Sequence, residues 1–301
     1  MQRRTILEIF GGLVLTGTTL GLSRQQAETD KQAAIDQMAA QVADNGDYAL
    51  TWGFHVLSQK YPWLATARNS VGSVAYANDS SRGSAVLWDR YGTIVLSAHE
   101  WDTSPLNLRF YLKDTKVVVD ILECLKDDKH DLLFASIDPK VISRNKLLPV
   151  ERGKMGFEGK EAGQTIINVG FPSLSRRLHA TEGTVGNFIS NLQQTNGDQL
   201  RQVNCKIENT GITFPGMSGC AVFHEGQLVG IHNTGKGELG LGAAGTFTPV
   251  DLITNAYCDL YPDRAKRAGI TPIADEVLNA PSACKIDRRN FVRASFKTPQ
   301  N

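Results

Sequence analysis

The sequence predicts an all-β fold built as two β-barrels of about six strands each, and three observations carry that prediction. First, from residue 69 onward the apolar residues leave helical spacing and fall into short β-type runs parted by turn residues. Second, those runs form two groups, at 71–75, 84–88, 93–97, 106–112, 116–125 and 132–137, then at 165–169, 181–188, 201–207, 220–224, 227–232 and 243–249, with a break over 151–163. Many short strands at such spacing argue a sandwich or barrel, and two groups of about six argue two barrels. Third, the composition suits packed cores: 301 residues with 41% hydrophobic content exclude wholesale disorder, and 28 Gly and 11 Pro without a repeat exclude collagen-like and solenoid chains.

Ahead of the barrels, Met1-Gln2-Arg3-Arg4 precedes a mostly apolar stretch over 9–22. Its 14 residues suit the hydrophobic region of a secretory signal and fall short of a bilayer span. Residues 1–25 are therefore read as a signal peptide or an uncleaved signal anchor, with Arg3-Arg4 weakly resembling a twin-arginine signal, and the expected setting is extracytoplasmic, periplasmic or secreted. Over 25–42, Ala33, Ile35, Ala39 and Val42 recur at helical spacing, and Asp44-Asn45-Gly46-Asp47 ends that helix. Trp52, Phe54, Val56, Leu57, Tyr61, Trp63 and Leu64 then form an apolar cluster that must dock on something. Residues 26–68 are read as an N-terminal extension packed on the main domain; a pro-segment and an assembly surface stay open beside that reading.

The main domain is assigned to 69–255, with barrels at about 69–150 and 160–250, a closing helix over 250–257 and a polar, Pro-punctuated tail over 256–301. A net charge of +1 gives no attraction for polyanions, so nucleic acid is not an expected partner. Membrane contact is expected only through an uncleaved N-terminal anchor. Cys124, Cys205, Cys220, Cys258 and Cys284 show no C-x-x-C spacing, which removes a structural zinc site. Cys258 with Cys284 is the favoured disulfide if the protein is exported, and buried free thiols are the alternative.

Three segments carry chemistry. Thr93-Ile94-Val95-Leu96-Ser97-Ala98-His99 is an apolar strand that delivers a histidine at its end, where a general base is wanted. Asp131 immediately precedes the apolar run Leu132-Leu133-Phe134-Ala135, where a carboxylate can be buried against an imidazole. In Phe214-Pro215-Gly216-Met217-Ser218-Gly219-Cys220, glycines flank a serine just ahead of another strand and let backbone N–H groups turn towards one point. Taken singly, each has a structural reading: a buried strand-end His, a turn-capping Asp, a tight-turn Ser.

Together the three segments resemble the chymotrypsin-fold serine proteases over about residues 71–253, nearly two thirds of the chain. The order His99, Asp131, Ser218 is that family's order, and no G-x-S-x-G elbow surrounds Ser218. The resemblance implies two six-stranded antiparallel β-barrels, a serine endopeptidase acting on a protein or peptide substrate, and no metal or organic cofactor. It implies Ser218 as nucleophile, His99 as base, Asp131 as the group that orients the imidazole, and the N–H groups of Gly216 and Ser218 as the oxyanion hole.

Departures from the family are equally legible. Met217 stands where trypsin-like digestive enzymes carry the Asp that pairs with a freed N-terminus, so that activation switch is not expected. In this respect, and in Val169-Gly170-Phe171-Pro172-Ser173, the chain is more similar to bacterial high-temperature-requirement proteases. The 48 residues after Ile253 are too few for the PDZ domain those proteases carry. Cys220 replaces the usual Gly or Ser two positions after the nucleophile. Thr213, five residues before Ser218, and His232 in Val229-Gly230-Ile231-His232 resemble the Thr/His pair with which glutamyl endopeptidases and picornavirus-type processing proteases hold Glu or Gln. The resemblance implies cleavage after Glu or Gln; a core histidine and a β-forming threonine are the other reading of the same two residues.

His55, His130, His179 and His224 lack metal-ligand spacing, and His130, a sequence neighbour of Asp131, is a poor substitute base because adjacent strand residues face opposite ways. Two function classes compete with the protease: a catalytically silent peptide- or protein-binding module of the same fold, and a zymogen whose segment up to about Arg68 blocks the site.

Overall fold

The computed structural model describes residues 50–76, 81–101, 106–112, 115–155, 161–172, 177–196, 199–235, 243–274, 284 and 287–295. The leader expected over 1–25 and the helix expected over 25–42 lie outside the described residues. Chain order opens with α1 (Trp52–Lys60) and α2 (Leu64–Ala67). Thr51 starts α1 because its Oγ1 accepts the Phe54 N–H at 3.3 Å, the usual service of a β-hydroxyl N-cap. Phe54 and Leu64 are buried among Ile167, Leu178 and Phe223, and the Trp63 ring lies 5.3 Å from that of Phe223. Phe54, Trp63 and Leu64 of the N-terminal cluster therefore dock on the second barrel, where burying a large apolar side chain contributes about 1.5–3 kcal/mol, while Val56 stays exposed.

The first sheet contains β1 (Val71–Tyr76), β2 (Ser81–Leu87), β3 (Thr93–Leu96), β4 (Leu106–Leu112), β5 (Thr115–Asp120), β6 (Glu123–Asp127), β7 (Leu132–Ser136) and, from the tail, β14 (Val292–Ser295). Its order is β14-β6-β7-β3-β2-β1-β4-β5, antiparallel throughout, curled into an open half-barrel. In β5, Val117 and Val119 point inward while Lys116, Val118 and Asp120 face solvent, the two-residue alternation of a half-buried strand. β3 and β7 are buried on both faces, which is why they read as continuous apolar runs. The single run expected over 116–125 is two strands, because the chain turns after Asp120 and the Leu122 N–H donates to Ser136 O at 2.8 Å. A short helix unforeseen in the sequence, α3 (Pro139–Asn145), follows β7 with Asp138 as its N-cap and Pro at its first turn.

The second sheet is a closed six-stranded barrel of β8 (Thr165–Gly170), β9 (His179–Asn196), β10 (Gln199–Thr213), β11 (Ala221–His224), β12 (Gln227–Gly235) and β13 (Ala243–Pro249), in the order β10-β13-β12-β11-β8-β9. All six of its runs were expected from periodicity. Together with the half-barrel it makes the chymotrypsin-like two-barrel architecture. After β13 come α4 (Val250–Leu260) and α5 (Pro262–Ala268). Tyr257 of α4 packs beside Trp88 at 5.9 Å and Phe134 at 6.3 Å, and its hydroxyl donates to Asp89 of the half-barrel. One continuous apolar core thus spans Val86, Val95 and Phe134 of the first sheet, α4, and Val222 and Ile231 of the second.

The expected disulfide is corrected. Cys284 pairs with Cys205 of β10, Cα to Cα 5.4 Å, and not with Cys258. Cys258 lies buried on α4 as a free thiol, with its Sγ against the Ile270 carbonyl at 3.8 Å. A disulfide needs Cα atoms within about 7 Å, and only the folded path of the tail brings Cys284 that close to β10.

Candidate active site

The site lies where the two sheets meet, and each member arrives on a short turn. β3 ends at Leu96, and the single 3₁₀ turn Ala98–Glu100 lifts His99 off the strand end. Asp131 closes the turn between β6 and β7 with a φ of 49°, a left-handed conformation more accessible to Asp than to most side chains. Ser218 sits between β10 and β11. His99 Nδ1 is 2.8 Å from Asp131 Oδ2, the His99 backbone N–H donates to Asp131 Oδ1 at 2.9 Å, and His99 Nε2 is 2.8 Å from Ser218 Oγ. The three residues therefore form one continuous hydrogen-bonded relay.

Ser218 Oγ also lies 2.9 Å from the Asn233 carbonyl. One hydroxyl proton serves one acceptor at a time, so a Ser218 that donates to Asn233 O receives its second bond from a protonated Nε2. A second carboxylate favours that state: Glu100 Oε1 is 3.2 Å from His99 Nε2, and both side chains are largely buried. Burial alone would lower the His99 pKa, but Asp131 and then Glu100 outweigh it and raise the imidazole to about 10. Burial likewise opposes the Asp131 charge, but His99 and Lys206 hold that carboxyl below its usual value.

Ahead of the serine, Phe214-Pro215-Gly216-Met217 is a turn closed by the Met217 N–H on Phe214 O at 3.0 Å. Proline second and a glycine at φ 85° third are the type II pattern, which only a residue free of a Cβ adopts without strain. Among the described residues neither the Gly216 nor the Ser218 N–H donates to a protein acceptor. Gly219, at φ 79°, lets the chain pass so close to β2 that a Cβ there would lie 1.9 Å from Ser84 O. The Ser84 N–H donates to Ser218 O at 2.7 Å, which ties the serine turn to the half-barrel. Cys220 is fully buried and burial pushes its thiol up, so it packs as an inert group beneath the turn.

Thr213 and His232 are buried on β10 and β12, strands that flank β13, where they pair with Ala243 and Phe247. The His232 backbone is joined to the serine turn, since its carbonyl accepts the Gly219 N–H at 2.7 Å and its N–H donates to Cys220 O at 2.9 Å. Burial pulls its imidazole down to about 3, with the charges of His99 and Lys206 adding to the effect, and among the described residues its buried Nδ1 has no partner. His130 belongs elsewhere: it is buried with Nδ1 2.6 Å from Asp127 Oδ2. Among the described residues no group of three or more His, Cys, Asp or Glu is arranged to hold a metal ion.

Glu100, Asn233 and Lys206 also belong to this neighbourhood, and no motif in the sequence marks them. Glu100 and Asn233 each adjoin a candidate site residue in the chain, His99 and His232. Lys206 lies within a predicted strand, where a lysine ordinarily marks the solvent face. Asn233 Nδ2 donates to the Asp131 carbonyl at 2.9 Å, and its Oδ1 accepts from Lys206 Nζ at 2.9 Å and Thr248 Oγ1 at 2.8 Å.

No protein-family model matches the sequence, and no curated protein matches it. Solved structures share its fold. The HtrA-type protease AlgW, solved with a decapeptide, is 16% identical with a TM-score of 0.52, the match covering 70% of this chain and 76% of that one. Deg5 is 17% identical at a TM-score of 0.53, over 68% of this chain and 96% of its own. The Rv3671c protease from M. tuberculosis, in its active form, is 15% identical at 0.50, over 71% and 88%. The chain thus has the trypsin-like serine protease fold found in HtrA- and Deg-type domains.

Proposed function

We propose that this chain is a serine endopeptidase in which Ser218 attacks a peptide carbonyl, and the observation that carries the reading is the unbroken Asp131–His99–Ser218 relay. His99 takes the Ser218 proton as Oγ bonds to carbon, then returns it to the leaving amine. Asp131 holds the Nδ1 tautomer and offsets the imidazolium charge. The N–H groups of Gly216 and Ser218 donate to the oxyanion, whose charge develops only in the transition state. A peptide substrate accords with the decapeptide bound by AlgW.

A Glu or Gln side chain ahead of the cut is the preferred specificity. Its support is His232, buried, neutral and, among the described residues, with an unpartnered Nδ1 that can bond a carboxylate or carboxamide; Thr213 is buried on β10, across β13 from the His232 strand. A site built on such bonds disfavours apolar side chains that leave them unmade. The proposed setting is extracytoplasmic, supported by the apolar leader and by the Cys205–Cys284 disulfide, a bond typical of oxidising compartments.

The test is a mass-spectrometric map of cuts in a peptide library, beside Ser218→Ala. Cuts after Glu or Gln that fall about a millionfold in rate in the variant are expected. Ser218-dependent cuts after apolar residues would discard the Thr213/His232 pocket alone. An absence of cuts, with no labelling of Ser218 by a fluorophosphonate, would favour a peptide-binding module of the same fold.

A further inference from the structure

The structure assigns Lys206 a role in the same site: we infer that its buried ammonium is a positioning residue, clamping the Asp131 turn and countering the Asp131 charge so that the imidazole of His99 is held in line with Ser218. The inference rests on the protease reading and names a further residue of that machinery.

Lys206 is 0% exposed in the middle of β10. A buried ammonium is costly unless its donors are satisfied, and here all three are. Nζ donates to the His130 carbonyl at 2.7 Å, to Asn233 Oδ1 at 2.9 Å and to Thr248 Oγ1 at 2.6 Å. None of these partners is a carboxylate, so among the described residues the charge has no direct ion pair; Asp131 and Asp127 act on it through space.

Those bonds converge on one strained piece of chain. Lys206 holds the His130 carbonyl, and Asn233, itself oriented by Lys206, holds the next carbonyl, that of Asp131. Asp131 is the residue in the left-handed conformation, and a residue held there persists only where its surroundings over-determine it. The adjoining Asn204 N–H donates to Lys129 O at 3.0 Å, so β10 grips Lys129 and His130 while Asn233 of β12 grips Asp131, three successive residues of the turn. Asn233 supplies the other link, because its carbonyl accepts from Ser218 Oγ at 2.9 Å. One buried cation thus sets the backbone on which Asp131 stands and the amide whose backbone receives the serine hydroxyl.

The groups facing Lys206 are Asp127 at the end of β6, His130 and Asp131 of the β6–β7 turn, His232 from β12 and, beyond Asp131, His99. The two cations share the Asp131 carboxylate. Removing Lys206 leaves the carboxylate wholly to His99, which then holds its proton more tightly and is less often in the unprotonated form that can take the Ser218 proton. Burial also pulls Lys206 down to about 8, so its charge is lost within a testable pH range.

The experiment follows two readouts on the full chain in wild type, Lys206→Met and Lys206→Arg, each checked for folding by near-UV circular dichroism. The first is the pH dependence of labelling by a fluorophosphonate. The second is the NMR titration of the His99 imidazole, which needs no activity. Wild-type labelling is expected to climb as His99 deprotonates and to stop climbing near pH 8. Lys206→Met should label about tenfold to a hundredfold more slowly, with the His99 titration moved upward and no break near pH 8. Lys206→Arg keeps its charge, so its labelling should continue to climb. Equal rates and an unmoved His99 titration in a folded Lys206→Met protein would overturn the inference and leave the protease reading standing. If Lys206→Met does not fold, the same break near pH 8 in Lys206→Arg as in wild type overturns it. Wild type that never labels overturns the protease reading, while the NMR titration still decides whether Lys206 governs His99.

Discussion

At the scale of single residues, His99 is contested by two carboxylates. Asp131 on Nδ1 serves a base well, because it fixes the tautomer and steadies the positive charge that forms during proton transfer. Glu100 on Nε2 does the reverse, since it stabilises a proton on the atom that must be bare to accept one from Ser218. Glu100→Gln should therefore lower the imidazole's affinity for its proton. The expected result is a downward move of about one pH unit in the rise of fluorophosphonate labelling, and up to about a tenfold faster reaction at pH 7. A rate that falls with an unmoved pH profile would show instead that the Glu100 carboxylate holds the turn in place.

At the scale of elements, the tail is a structural part of both sheets. β14 extends the first sheet by pairing Val292–Ser295 with β6, and Cys284 anchors the preceding segment to β10 of the second. Cys205 stands at a φ of 60° immediately before Lys206, so the covalent anchor adjoins the strand position that grips the Asp131 turn. Cys284→Ser should lower global stability by about 2–4 kcal/mol, read as a lower urea midpoint with little change in slope. Thiol reductant should reproduce that loss in wild type and add nothing to the variant. An unchanged midpoint would mean that the tail contributes nothing beyond the contacts it leaves intact.

At the scale of the whole molecule, buried histidines set how stability follows pH. His232 is held to about 3 by burial and by the charges of His99 and Lys206, and His179 to about 4 by burial and by Arg177. The unfolded chain takes up protons on both near the ordinary histidine value, which the folded chain refuses until lower pH. Stability therefore falls as pH drops from about 6.5 towards 3. His99 has the opposite sign: raised to about 10, it contributes stability fully present below about 6.5 and lost as pH rises through 10. Asp251, raised to about 6 by burial, loses its contribution in the same direction at lower pH. The melting temperature should peak at about pH 6–7, and His232→Gln should flatten the acid side of that curve. A curve with an unchanged acid side would remove His232 from this account.

Local pattern alone carried most of the strands and the three segments of the site. Alternating and continuous apolar runs mark strands because a pleated chain presents successive side chains to opposite faces, and all six runs of the second barrel were legible for that reason. A histidine at a strand end, an Asp ahead of an apolar run and a glycine-flanked serine were visible because the chemistry that wants them also dictates their immediate neighbours. The remaining contacts depend on distance across the fold. No local signal separates Cys258 from Cys205 as the partner of Cys284, since the choice follows from where the tail runs. Nor does a lysine inside a strand announce that its ammonium will be buried and bonded to a turn 76 residues away in the chain. Hydrogen bonding and Coulomb attraction act over a few ångströms, and only the meeting of the two sheets brings Glu100, Asn233 and Lys206 within that reach of His99, Ser218 and the Asp131 turn.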